Sequence, residues 1–187
     1  MKQKDQGVIQ KLLALILLFW AAACWSIMLS VMKAGYTSRY LEDCLTQANL
    51  AALIVDPYHY GSTGELVFAN LDEAKETFEE ALEKGLGSNE TRQRLGLTGE
   101  AELVDFRIYE VTSQGISEFI YDRDNHYSTA FYADGQSVEV PDGTHIQNSA
   151  IYARIAVPVE FMFGIEVTAV KEHCVDIICE ETKNEEK

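Results

Sequence analysis

The sequence predicts an α+β protein in which a long N-terminal transmembrane helix runs on into a domain with an antiparallel β-sheet and one further helix. Three observations carry this. Leu12 to Met32 is a run of twenty-one residues without a charge; at 1.5 Å per residue such a helix covers roughly 31 Å, the thickness of a bilayer's hydrocarbon core. Apolar residues then recur at spacings of three and four, without proline, as far as Asp56. From Ala101 the period changes to two, the repeat of a strand with one buried face.

The apolar run is too long for a cleaved secretory signal, whose apolar region covers roughly 7–15 residues. Ala21-Ala22-Ala23-Cys24 offers the small residues before a cysteine that lipid attachment uses. Trp25, Ile27, Met28, Leu29, Val31 and Met32 nevertheless extend the run where a lipoprotein turns to a polar tether. Residues 12–32 are therefore read as an uncleaved span in the cell membrane behind a cytoplasmic leader, residues 1–11, with the lipid bilayer as its first partner. Lys2, Lys4 and Lys11 precede it and Lys33 and Arg39 follow, a bias that favours an inside N-terminus. Residues 1–39 carry +4, five Lys/Arg against one Asp, and the whole chain −15, which puts −19 on residues 40–187. That charge repels nucleic acid and anionic surfaces, so the single-pass reading puts the C-terminal domain outside the cell.

Residues 33–56 extend the anchor helix, with Leu41, Cys44, Leu45, Ala48, Ala52 and Val55 on one face and Arg39, Glu42, Asp43, Thr46, Gln47 and Asn49 on the other. Uninterrupted, residues 8–56 make a rod of roughly 73 Å, ended by Pro57, which biases Asp56 away from the helical region. Ala48, Ala51 and Ala52 leave room for another helix or a sheet to approach closely.

The outer domain, residues 57–179, is long enough for one core. Tyr58 to Phe68 reads as a Tyr/Gly loop. Asn70 caps a helix, with Glu73 completing a capping-box pattern; Ala74, Phe78, Ala81 and Leu82 form its buried edge, and Gly85 or Gly87 closes it. Asn89 to Leu97 adds a turn before Gly99. Leu103 to Val111, with Val104, Phe106 and Ile108 on one face, pairs with Ile116 to Tyr121 across Thr112-Ser113-Gln114-Gly115. Asp134-Gly135 marks a hairpin between Tyr127–Ala133 and Gln136–Val140. Every odd position from Ile151 to Ala169 is apolar, too long a run for one strand. Two strands are expected, joined over Pro158 to Gly164, with Phe161, Met162 and Phe163 serving either as core plugs or as an apolar tip against membrane or partner. Glu172 to Glu180 gives a last short strand. Glu180 to Lys187 is an acidic, disordered tail.

Chemistry is sparse. Cys24, Cys44, Cys174 and Cys179 leave an odd number outside the span, and Cys174 and Cys179 would sit about 16 Å apart on one strand, so they are read as small apolar residues. His173, Cys174, Asp176 and Cys179 lack the second ligand segment of a zinc site. Asp122, Asp124 and Asn125 lack the glycine and glutamate of a calcium loop. His59, His126 and His145 are scattered. With no nucleophile elbow, zinc motif or phosphate loop, no catalytic, metal or cofactor-binding residue is assigned, and the chain is read as not an enzyme.

Gly35-Tyr36, Arg39 to Leu45 and Ala48 to Asp56, followed by the Tyr/Gly loop, together with Ser149 to Glu160, Gly164-Ile165 and Val175-Asp176-Ile177, resemble TadE/TadG-like pilus-assembly proteins of Gram-positive bacteria. The resemblance implies a pilin-like outer domain and a pseudopilin-type structural component of a Flp (tight adherence) pilus or related secretion machine, whose partners are other pilin or pseudopilin subunits and platform proteins. It also implies a prepilin-peptidase site at Gly7, although Leu12 stands where the family usually has a glutamate. Ala21, Ala22, Ala23, Cys24 and Ser26 would form the packing patch in lipid, with Ala48 and Ala52 as the small positions beyond it. Two alternatives stay open: an anchored ligand-binding or sensor module, which predicts a concave, partly apolar pocket with convergent polar groups, and a membrane-tethered enzyme, which predicts perturbed titratable groups in such a pocket.

Overall fold

The computed structural model describes residues 2–121, 126–161 and 164–177, with side chains from Gln10 onward. A single helix, α1 (Lys2–Ala52), opens the chain and extends about 77 Å. It is followed by α2 (Pro57–Thr63), α3 (Leu71–Leu86), α4 (Asn89–Leu95), β1 (Glu102–Thr112), β2 (Gly115–Tyr121), β3 (Tyr127–Ala133), β4 (Ala150–Glu160) and β5 (Glu166–Asp176). The strands form one sheet in the order β3-β2-β1-β4-β5, antiparallel at every junction. The α+β architecture expected from the change of period is the one observed.

The second half of α1 and the antiparallel α3 cover one face of the sheet. Leu41, Cys44, Leu45, Ala48 and Ala52 of α1 meet Ala74, Phe78 and Leu82 of α3 and Phe106, Ile108, Ile151, Ile155 and Val157 of the sheet in one buried cluster. The spacing of three and four on α1 is therefore the imprint of this contact. Asn70 caps α3 as expected, its Oδ1 accepting the Asp72 and Glu73 N–H groups, and Gly87 closes the helix.

The anchor helix stops at Ala52 rather than at Asp56. Val55 pairs with Phe68 in an antiparallel bridge, and the Asp56 carboxylate accepts the Tyr58 and His59 N–H groups as the cap of α2. Pro57 thus starts a helix instead of ending one, sitting where a missing N–H costs nothing, and half of the expected Tyr/Gly loop is helical.

Val104 is exposed, contrary to its expected place on the inner face of β1. The β1–β4 register slips by one residue between Leu103 and Asp105, a bulge that inserts Val104 and returns Phe106 and Ile108 to the core. Asp134-Gly135 does turn the chain, but Gln136–Val140 forms no strand. Val138 and Val140 instead pack with Tyr109, Ile116, Ile146, Ala150 and Tyr152, because the segment must cross the outer face of the sheet to reach β4, and burying both valines there seals that face.

The alternating stretch after Ile151 is two strands, as expected, although β4 runs through Pro158 to Glu160. The Thr98 N–H donates to the Pro158 carbonyl. The proline nitrogen points to that same side, away from β5, so the ladder loses no donor. Glu172 to Asp176 belongs to β5 and forms no separate strand. Asp122 to Asn125, Met162 and Phe163, Cys179 and the acidic tail lie outside the described residues.

Candidate functional site

α1 is long and apolar enough to cross a membrane. Ala21, Ala22 and Ala23 are exposed on it, alongside Trp20 and Trp25, while Ser26 is half-buried and its carbonyl accepts the Ser30 hydroxyl at 3.0 Å. Gly7 lies within the helical backbone of α1. Ala48 and Ala52 are fully buried, so their small size serves the approach of α3 and the sheet within this chain.

Where α1 enters the domain it is clamped by polar contacts as well as by packing. The Thr37 hydroxyl donates to the Leu95 carbonyl at 3.0 Å and the Tyr40 hydroxyl to the Gly85 carbonyl at 2.7 Å. Asn49, fully buried, donates through Nδ2 to the His173 carbonyl at 2.9 Å, and Lys171 reaches Glu42 at 3.7 Å. These bonds fix both the height and the rotation of the helix against the strands.

Sequence reasoning missed the outer face of the sheet. Glu118, almost fully buried, accepts Arg107 Nη1 at 3.0 Å, the Tyr109 hydroxyl at 2.9 Å and the Tyr132 hydroxyl at 2.8 Å. Arg107 also grips Asp105 through Nε and Nη2, and Tyr152 donates to Glu172. Burial, and then the Glu118 carboxylate, push the Tyr109 hydroxyl well above its usual range. The expected Thr112–Gly115 hairpin already sets Tyr109 opposite Glu118, which was the available signal.

Burial pushes the Cys174 thiol up to about 12 and raises that of Cys44, so neither forms the reactive thiolate near pH 7. His173 and Cys174, as neighbours on β5, point to opposite faces, and no cluster of three metal-binding side chains occurs among the described residues.

Glu110 is raised by burial, opposed by the Phe68 N–H that it accepts at 2.9 Å. The folded chain therefore holds this proton to higher pH than the unfolded one, and stability declines as pH rises from the unfolded value near 4.5 through the folded one. Glu110→Gln keeps the acceptor and removes the titration. Its stability relative to wild type should be near zero below pH 4, grow as pH rises through the range in which Glu110 ionises and then level off, as read by denaturant unfolding from pH 4 to 8; a flat difference would remove Glu110 as the cause.

A cleft of about 320 Å³ opens between α3 and the start of β1, with Phe78, Leu82, Leu86 and Leu103 as its floor and Glu79, Glu83, Glu100 and Arg92 at its rim. No family model matches the chain, and no curated protein or solved structure matches it.

Proposed function

We propose that this chain is a membrane-anchored, pseudopilin-like structural component of a Flp/Tad-type pilus or related secretion machine, acting through helix packing and protein–protein contacts. The observation that carries the reading is the division of α1. Its first half exposes apolar side chains from Leu12 onward, and its second half is the spine of an acidic head, buried against α3 and the sheet. In lipid, exposed Ala21, Ala22 and Ala23 with half-buried Ser26 offer a face on which a second helix can approach closely. In this reading the N-terminus is cytoplasmic, the head is extracytoplasmic, and Gly7 is the place for peptidase trimming.

The test is purification of the full chain from native membranes in a gentle detergent. Co-purification of a pilus ATPase, platform protein or pilin is the expected result, together with its loss when Ala22 is replaced by Phe to block close packing. Recovery of the chain alone, with assembly unaffected by Ala22→Phe, would overturn the assignment.

The cleft under α3 favours a second reading, an anchored ligand-binding or sensor module. Three carboxylates against one guanidinium at an apolar floor suit a small cation with an apolar body. Binding that is abolished by Leu82→Trp while the assembly partners are retained would select this reading.

A further inference from the structure

We propose that a second cleft, at the end of the sheet where β1 stops and β4 begins, binds a neutral saccharide chain. It is separate from the cleft under α3, and it stands or falls independently of the pilus reading.

The chain builds the place from segments distant in sequence. α1 is one unbroken helix, so its last residue, Ala52, lies about 30 Å along the axis from Met32, where the apolar run ends. Just beyond it, the Asp56 N–H donates to the Val67 carbonyl at 2.9 Å and the Ala69 N–H to the Ile54 carbonyl at 3.0 Å, which brings the chain after α2 back to the end of α1. The Ser149 hydroxyl, on a residue 2 % exposed, donates to the Leu66 carbonyl at 2.6 Å and accepts the Val111 N–H at 2.9 Å. Glu65 accepts the Ser113 N–H at 2.8 Å. The α2 segment, the β1–β2 hairpin and the start of β4 are thereby pinned around an opening of about 520 Å³, within the range of small-molecule sites, about 300–1,000 Å³. A floor already in place before a ligand arrives spares the ordering cost of binding.

The lining selects the ligand class. Of the described residues around this opening only Glu65 is charged, and both of its oxygens are engaged, one by Ser113 and the other by His59 Nε2 at 3.6 Å. With no cation in the lining and −19 on residues 40–187, an anion is repelled; an occupied carboxylate is a poor seat for a cation. A peptide strand needs main-chain partners, and here the Val111 N–H and the Leu66 carbonyl are taken by Ser149. What the cleft offers is uncharged side chains. Gln147 presents an exposed amide, and Asn148, whose Nδ2 donates to Asp176 at 3.1 Å, keeps an acceptor oxygen. Such amides carry donors and an acceptor in one plane, the match for adjacent sugar hydroxyls or an acetamido group. Tyr60, 43 % exposed, gives a ring wall for the C–H face of a sugar. Half-buried Leu66 and Val111 give an acetamido methyl an apolar seat, so an N-acetylated saccharide is the better fit.

The experiment places the full chain in phosphatidylcholine nanodiscs, because glycoside detergents would compete, and titrates it by calorimetry with chitotetraose, maltotetraose and N-acetyl-tetraalanine amide. Expected is saturable binding of chitotetraose, weaker binding of maltotetraose and none of the peptide. Gln147→Ala, on an exposed side chain, should fold as wild type by circular dichroism and weaken chitotetraose binding about three- to tenfold, the loss of one neutral hydrogen bond. Tyr60→Ala should weaken it at least as much, and Leu82→Trp, in the cleft under α3, should leave it unchanged. Absence of binding by both saccharides, or binding indifferent to Gln147→Ala and Tyr60→Ala, would overturn the site. Peptide binding tighter than that of either saccharide would make it a peptide cleft and overturn the ligand class. Maltotetraose binding tighter than chitotetraose would keep a saccharide site, point to a glucan as its source and overturn the acetamido seat.

Discussion

Leu45→Asp should unfold the head while leaving the chain in the membrane fraction. Leu45 is fully buried between α3 and the sheet, and losing its burial alone costs about 2–3 kcal/mol. The carboxyl that replaces it is surrounded by the apolar side chains of that cluster, which favour its protonated form; holding an acid neutral at pH 7 against a shift of several pKa units adds about 4 kcal/mol. The total, roughly 6 kcal/mol, is comparable with the whole stability of a domain of this size. Leu50→Asp is the control, because Leu50 lies on the same helix but is 54 % exposed. Circular dichroism melts and limited proteolysis in detergent should separate the two: the Leu45 variant loses its cooperative transition, and the Leu50 variant melts as wild type. Equal melting would mean that the second half of α1 is a spacer rather than the spine of the head.

Leu45 also illustrates what could be read from residues alone. The i, i+3, i+4 stripe from Leu41 to Ala52 is a strong signal because a helix buries whole turns on one side, and the structure keeps every one of those positions inside. The capped α3 and the odd-position repeat of β4 were legible for the same reason, since each face repeats with the period of its own backbone. Failures came where a tertiary contact overrode a local rule. Pro57 reads as a stop until Asp56 is seen to cap a new helix, and Val104 reads as inward until the bulge against β4 intervenes. Gln136–Val140 alternates like a strand, yet its valines are spent on crossing the sheet. Of the candidate site, the exposed small residues of α1 were visible as composition. The Arg107–Glu118–Tyr132 network was not, because its third member joins from β3 through the β2–β3 pairing, whose register residue patterning alone did not set.

That network yields the second large effect. Glu118→Ala should cost about 3–4 kcal/mol, because truncating one partner of a buried ionic set leaves the others desolvated and unpaired. Tyr109, with no exposed surface, would retain a hydroxyl with no acceptor, and Arg107 would keep only Asp105. Glu118→Gln preserves the volume and one acceptor oxygen and should cost about half as much, since its amide N–H groups then face donors instead of receiving from them. The sharper check is a sign inversion in a double-mutant cycle with Tyr109→Phe. In the wild type that change removes a satisfied hydrogen bond and should destabilise by about 1 kcal/mol; in the Glu118→Ala background it removes an orphaned hydroxyl and should be neutral or stabilising. Hydrogen exchange locates the consequence. Tyr132 is the outer-face link from Glu118 to the edge strand β3, so protection across Tyr127–Ala133 should fall before that of β4, which lies between β1 and β5 and buries its inner face under the helices. An additive cycle, with β3 protection unchanged, would mean that the ring packing of Tyr109 and Tyr132, rather than the buried carboxylate, keeps the edge of the sheet closed.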